Sequence, residues 1–275
     1  MQWTSDTLEF FKIILTGSAY DESSWMTLDT RVWGEHGPPR WKRRLGQGLH
    51  RILSRRGWTL IRQNKYDDHL RDTGRDWPIV GYTMIGRQRL NHLQQCLETI
   101  HSESVPGNLI ETGVWRGGAC MLMKATLKAL GDQQRVIYLA DSFTGLPPPD
   151  NPQDGWDLSG MPYLAVSADQ VRRNFERFGL WDERIKIIKG WFQDTLPTSA
   201  TGPLALLRLD GDLYESTKVA LHALYNRVSP GGFVIIDDYH AWPSCQRAVQ
   251  EFITSLDCPV HLTEIDGTGV YWRKP

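Results

Sequence analysis

The sequence has little cysteine, little charge imbalance and no long apolar run, and each shortage removes a class of protein. Its four cysteines, Cys96, Cys120, Cys245 and Cys258, show no C-x-x-C spacing. Neither a redox pair nor a thiolate zinc site is encoded, and free thiols in a reducing cytoplasm are expected. Lys and Arg total 31 against 32 for Asp and Glu, a formal net charge of −1. No global field therefore draws the chain to nucleic acid or membrane, and no nucleic-acid partner is expected. No apolar stretch reaches the length needed to span a bilayer. Asp6 and Glu9 precede or interrupt the first apolar segment, where a secretory signal would carry basic residues, so none is expected. Internal repeats and low-complexity tracts are also absent.

What is present is alternation. From residue 108 onward short apolar runs alternate with segments of helical periodicity. Strands are predicted at 108–113, 135–141, 185–191, 204–210 and 231–238, and helices at 117–130, 167–180, 216–228 and 245–256. A closing strand pair, 260–265 and 269–274, is joined by the hairpin signal DGTG. Ser167, with Gln170 three residues on, reads as a helix N-cap. Alternation of this kind implies parallel β-α-β units, a sheet covered on both faces, and ligand binding at the carboxyl edge of the strands. The first part differs. Residues 6–20 read as a short amphipathic helix, and 83–100 as a helix packed on the sheet. Residues 40–62 are strongly basic with interleaved leucines. That basic segment is either a solvated, partly helical face or a docking element for an anionic partner.

Polar residues collect where strands end. ETGVWRGG (111–118) is a glycine-rich turn between a strand and a helix N-terminus. Gly113 and Gly117 allow close backbone approach there, or serve turn geometry alone. The turn is not G-x-G-x-x-G and has no phosphate-loop lysine, which weakens dinucleotide and ATP readings. Glu111 suits a cationic or amino-bearing ligand. Asp141, followed by Ser142, ends the second strand at the position that commonly meets ribose hydroxyls. Gln193 and Asp194 follow the third strand, where an amide can read an adenine edge. Together these point to an adenosine-containing cofactor. Asp210 ends the fourth strand, and Asp237 and Asp238 end the fifth. Two carboxylates about 4 Å apart repel by roughly 4 kcal/mol at an effective dielectric near 20. Either these residues cap helices and face solvent, or a cation intervenes. Oxygen ligands without a His or Cys cluster favour Mg²⁺ over zinc. Asp212 reads simply as an acidic residue in the turn before a helix.

The segments LIETGVWRGGACMLMKATL, ADSFTGLPPPD, YLAVSADQVRRNFERFGL, KGWFQDTLP, LRLDGDLYESTKVALHALY and GGFVIIDDYHAWPSCQRAV together resemble the macrocin O-methyltransferase (TylF) family. TMIGRQRLNHLQ and FFKIILTGSAYDE are similar to that family's lid-side and N-terminal helices, whereas residues 23–60 depart from it. The resemblance implies a Rossmann-like α/β class I methyltransferase, with a mostly parallel seven-stranded sheet, helices on both faces and an N-terminal helical cap. The cap is expected over 1–76 and the methyltransferase domain over 77–275. It also implies S-adenosylmethionine as cofactor, held by Glu111, Gly113, Gly117, Asp141, Ser142, Gln193 and Asp194. Mg²⁺ is implied at Asp210, Asp237 and Asp238, with Asp210 doubling as general base. The implied acceptor is a small hydroxylated molecule, a glycosylated natural product, and a homo-oligomer is expected. The lysine that related catechol methyltransferases carry three residues after the first aspartate is Leu213 here. Two rivals stand at this point: a nucleotide-dependent dehydrogenase, and an inactive methyltransferase-like module docking through 40–62.

Overall fold

A computed structural model describes residues 3–20, 65–149 and 157–275, together with Asp154 and the short pieces 25–27, 49, 52–53, 56 and 61–63. Most of the basic segment 40–62 therefore lies outside the described residues. So does part of the loop 150–156.

Helix α1 (Ser5–Thr16) opens with a Thr4/Thr7 capping box and stops at Gly17. Strands β1 (Trp25–Thr27) and β2 (Ile61–Gln63) pair antiparallel. Helices α2 (Asp68–Asp72) and α3 (Arg87–Ser102) follow. The sheet then builds up through β3 (Asn108–Thr112), α4 (Gly118–Ala129), β4 (Ile137–Asp141), α5 (Ala168–Arg177), β5 (Ile185–Lys189), α6 (Phe192–Thr195), β6 (Leu204–Leu209), α7 (Tyr214–Leu224), β7 (Val228–Ile236), α8 (Pro243–Thr254), β8 (Thr263–Glu264) and β9 (Val270–Arg273). Strand order is β5-β4-β3-β6-β7-β9-β8. The first five strands are parallel, and β9 runs antiparallel to both neighbours. This is the mostly parallel seven-stranded sheet that the alternation and the resemblance imply. Among the described residues no helix is long and apolar enough to cross a membrane.

Two apolar layers sandwich the sheet. Leu8, Phe11 and Leu15 of α1 join Leu90, Leu93 and Leu97 of α3 and the apolar side of α4 on one face. Leu221 and Leu224 of α7 with Val249 and Phe252 of α8 cover the other. All six residues of β6 are buried, as its apolar sequence requires of a central strand covered on both faces. Ser167 accepts a hydrogen bond from the Gln170 amide as the N-cap of α5. The helices at 216–228 and 245–256 begin two residues earlier than the periodicity predicts, because Tyr214 and Pro243 already take helical geometry. The expected strand 260–265 shortens to Thr263–Glu264. It is an edge strand with mostly exposed side chains, so little burial holds it.

Backbone hydrogen bonds draw the strand ends into one rim. The Gly113 amide donates to Ala140 O, Asp210 to Thr112 O, Asp237 to Leu209 O and Gly190 to Asp141 O, at 2.8–3.0 Å. The polar residues that end the parallel strands therefore stand side by side.

Candidate active site

The turn after β3 is set by a steric requirement. Gly113 has φ +95°, and a Cβ there would collide with the Asp210 carbonyl. Only glycine lets the turn lie this close to the end of β6. Asp141 clamps the same turn from β4. Its Oδ2 accepts from the Val114 amide (2.7 Å) and the Trp115 amide (3.3 Å), and its Oδ1 from Phe143 (2.7 Å). Burial raises the Asp141 pKa, and these three amides oppose that rise. Ser142 stabilises the next turn, its hydroxyl donating to Gly145 O at 2.7 Å.

A cleft of about 700 Å³ runs along this rim, lined by Gly113, Asp141, Ser142, Gln193, Asp210 and Asp212 among others, with Trp191 and Phe192 on its apolar side. Four of the expected cofactor residues thus share one cleft. Glu111, Gly117 and Asp194 are placed elsewhere. Asp194 is exposed on α6. Gly117 caps α4 at φ +89°, against Val171 and Phe175. Glu111 faces a second pocket of about 1600 Å³, which Trp77, Trp115 and Trp242 help to line. Asp210, Asp212, Met84, Trp115 and Leu164 line both spaces, so the two meet at the aspartates that end β6.

The second pocket carries a dense group of charges. Oxygens of Asp210, Asp237 and Asp238 lie within 4.8 Å of one another. Arg208, fully buried in β6, is the cross-strand partner of Glu111. It bonds Glu111 and Asp237, and reaches Asp210 Oδ2 at 2.8 Å. Arg89 bonds the other oxygen of Asp237 and lies 2.9 Å from Asp266. Two guanidinium groups thus face six carboxyls: Glu111, Asp210, Asp212, Asp237, Asp238 and Asp266. The surplus shows in the titrations. Burial first, with neighbouring carboxylates adding, pushes Asp210 up to about 6 and Asp212 up to about 7. Asp238 rises well above the ordinary carboxylate range for the same reasons. Burial also lifts Glu111 to about 7 against the pull of Arg208. A buried, oxygen-only group with uncompensated negative charge fits a hard divalent cation. Asp237 keeps lone pairs for one, since each oxygen accepts from a single arginine and has room for a further partner.

Sequence reasoning missed three residues here. Asp212, assigned to a helix-leading turn, precedes α7 altogether and adopts φ +56°, an uncommon conformation for a non-glycine residue. Its amide lies 3.3 Å from Asp238 Oδ2, to which it donates. The other two are Arg208 and Arg89. Arg208 had a signal, being the one charge inside an otherwise apolar strand.

Comparison with known proteins bears on the family and the fold. Residues 4–274 match the family model described as Macrocin-O-methyltransferase (TylF). The chain is 49% identical over 220 residues to 8-demethyl-8-(2,3-dimethoxy-alpha-L-rhamnosyl)-tetracenomycin-C 4'-O-methyltransferase of Streptomyces olivaceus, covering 78% of this chain and 84% of that one. It is 46% identical over 220 residues to demethyldecarbamoylnovobiocin O-methyltransferase of Streptomyces niveus, covering 78% and 83%. The solved structure of the O-methyltransferase NovP superimposes with a TM-score of 0.80 at 38% identity, over 98% of both chains.

Proposed function

The chain belongs to the macrocin O-methyltransferase (TylF) family of S-adenosylmethionine-dependent O-methyltransferases, and from that premise we propose that it methylates a sugar hydroxyl of a glycosylated natural product with help from Mg²⁺ or a similar ion. The observation that carries this reading is the junction of the two spaces at Asp210 and Asp212. A methyl donor in the first cleft and a hydroxyl in the second then meet at one wall. The related enzymes' names, with their rhamnosyl and novobiocin acceptors, support the sugar assignment.

When bound, S-adenosylmethionine would supply an electrophilic sulfonium methyl group, with S-adenosylhomocysteine as the departing product. The hydroxyl oxygen forms the new bond to carbon as the carbon–sulfur bond breaks, and the hydroxyl proton passes to the protein. Asp141 stands in the first cleft where a ribose hydroxyl would replace the long 3.5 Å contact from the Ser142 hydroxyl to its Oδ1. Gln193 offers its amide to the adenine edge, with Trp191 and Phe192 as apolar walls. Asp210, Asp237 and Asp238 would hold the divalent ion, whose positive charge makes a nearby hydroxyl easier to deprotonate. Asp210 can take the proton, as the resemblance implies. Asp212 lines both spaces as Asp210 does, and it is the stronger base of the two, because its carboxyl takes a hydrogen bond only from the neutral Trp242 indole while Oδ2 of Asp210 is engaged by the Arg208 guanidinium. The rest of the task is alignment of oxygen, carbon and sulfur.

The test is turnover of S-adenosylmethionine with glycosylated acceptors, read as S-adenosylhomocysteine release and as methylated product by mass spectrometry, with and without EDTA. Full activity in EDTA removes the metal from the mechanism. Absence of turnover on any glycoside, with intact cofactor binding, removes the sugar assignment.

A further inference from the structure

Arg89 sits in the first turn of α3, 6% exposed, and its guanidinium joins three separate parts of the chain. Nη1 bonds Asp237 at the end of β7. Nε lies 2.9 Å from Asp266 Oδ2 in the turn between β8 and β9. Nη2 donates to Thr73 O at 3.2 Å, where the strap 73–86 begins. That strap supplies Gly74, Trp77, Thr83, Met84 and Ile85 to the acceptor pocket. It is anchored elsewhere as well: Arg71 bonds both oxygens of Asp76 at 2.8 Å, and Arg116 donates to Ile79 O and Gly81 O at 2.7 Å. At Gly74, φ +65°, a Cβ would strike Arg89 Nη2, so the strap is shaped around the guanidinium. Asp266 is fixed in its turn, its Oδ1 accepting from the Thr268 and Gly269 amides at 3.0 Å.

We propose that Arg89 is a positioning residue that fixes Asp237 for cation binding and ties that carboxylate to the strap over the acceptor pocket. The proposal rests on the metal reading above. Geometry, rather than charge alone, is the operative property. Two hydrogen bonds, to Asp237 and to Thr73 O, and the ion-pair contact with Asp266 lie on three sides of a planar fork, and an ammonium at the end of a flexible stem does not span them. Charge beside Asp237 persists without Arg89, because Arg208 holds its other oxygen. Arg89 does not line the cofactor cleft, so cofactor affinity should be insulated from its replacement.

The experiment measures Mn²⁺ binding by electron paramagnetic resonance and S-adenosylmethionine binding by calorimetry in wild type, Arg89→Lys and Arg89→Met. Both variants should lose about tenfold or more in Mn²⁺ affinity, the usual scale for groups that orient metal ligands. Their S-adenosylmethionine affinity should stay within about threefold of wild type, a difference under 1 kcal/mol. Wild-type Mn²⁺ affinity in Arg89→Lys overturns the proposal, since charge alone would then suffice. Joint loss of Mn²⁺ and S-adenosylmethionine binding overturns it too, by making Arg89 a support of the whole fold. If Arg89→Lys does not fold, Asp266→Asn carries the test by loosening the same guanidinium without touching Asp210, Asp237 or Asp238. A loss of about threefold in Mn²⁺ affinity is expected there, and no loss overturns the proposal. If wild type itself takes up no Mn²⁺, the metal reading falls and this proposal with it. A variant result against a Mn²⁺-binding wild type bears on Arg89 alone.

Discussion

Stripped of divalent ions, the protein should lose stability as pH rises from 5 to 7, the reverse of the usual acid denaturation. Glu111, Asp210 and Asp212 have ordinary values of 3.8 to 4.5 and are pushed up to about 6 or 7 in the folded chain. Each keeps a proton that the unfolded chain has already released. Their contribution is therefore fully present below the ordinary carboxylate range and is lost as pH climbs through 6 and 7. His92 acts in the opposite sense. Burial lowers it from 6.5 to about 4, so it favours the folded chain increasingly as pH rises toward 6.5. Setting one histidine against these three carboxyls leaves an excess of roughly one to two protons on the folded chain near pH 6, and Asp238, raised well above the ordinary range, adds to it in the same direction. The slope is then about 1.4 to 2.8 kcal/mol per pH unit, large against a total stability of roughly 5–15 kcal/mol. The assay is urea denaturation followed by circular dichroism in EDTA, at half-unit steps of pH. Glu111→Gln, which keeps the shape and removes one titration, should make the slope shallower by up to about 1.4 kcal/mol per pH unit. Added Mg²⁺ should offset the loss near pH 7, because it favours the ionised, folded form. A midpoint that stays flat or rises between pH 5 and 7 in EDTA refutes the reasoning.

Four further outcomes are expected. Asp212→Asn should lower kcat by about a hundredfold or more, the scale of a lost general base, with S-adenosylmethionine affinity intact. Asp210→Asn should weaken Mn²⁺ binding, and the opposite pattern in calorimetry and kinetics would return the base to Asp210. Asp141→Asn replaces one oxygen with an amide that faces a backbone N–H in either orientation, Phe143 on one side or Val114 and Trp115 on the other, so a stability loss of about 1–3 kcal/mol is expected. Cofactor binding should weaken alongside it, and unchanged calorimetry for S-adenosylmethionine would count against the ribose assignment. Gly113→Ala should destabilise by about 2 kcal/mol or more, from the left-handed φ and the contact with the Asp210 carbonyl; an unchanged urea midpoint would show that the turn relaxes freely.

How much of this was legible in the sequence follows from what sequence patterns carry. Asp141, Asp210, Asp237 and Asp238 were readable as rim residues because each ends an apolar run, and parallel strands bring such ends to one edge. Gly113 was readable as a close-approach glycine, though not that its neighbour would be the Asp210 carbonyl. The arginines were harder. Arg208 meets Glu111 only through the β3–β6 register, across 97 residues of chain, and Arg89 meets Asp237 across 148. No local period encodes either pairing. The positive φ of Asp212 is likewise invisible in a turn sequence that suits an ordinary helix start. Yet one physical inference was open. A charged residue in the middle of a strand buried on both faces must find counter-charge or leave a penalty of several kcal/mol. Arg208 stands between Leu207 and Leu209, with Glu111, Asp210 and Asp237 at neighbouring strand ends. The fold's own demand for a partner thus identifies the carboxyl group from the inside. A buried arginine among strand-end aspartates marks where negative charge has been collected beyond what the chain itself neutralises.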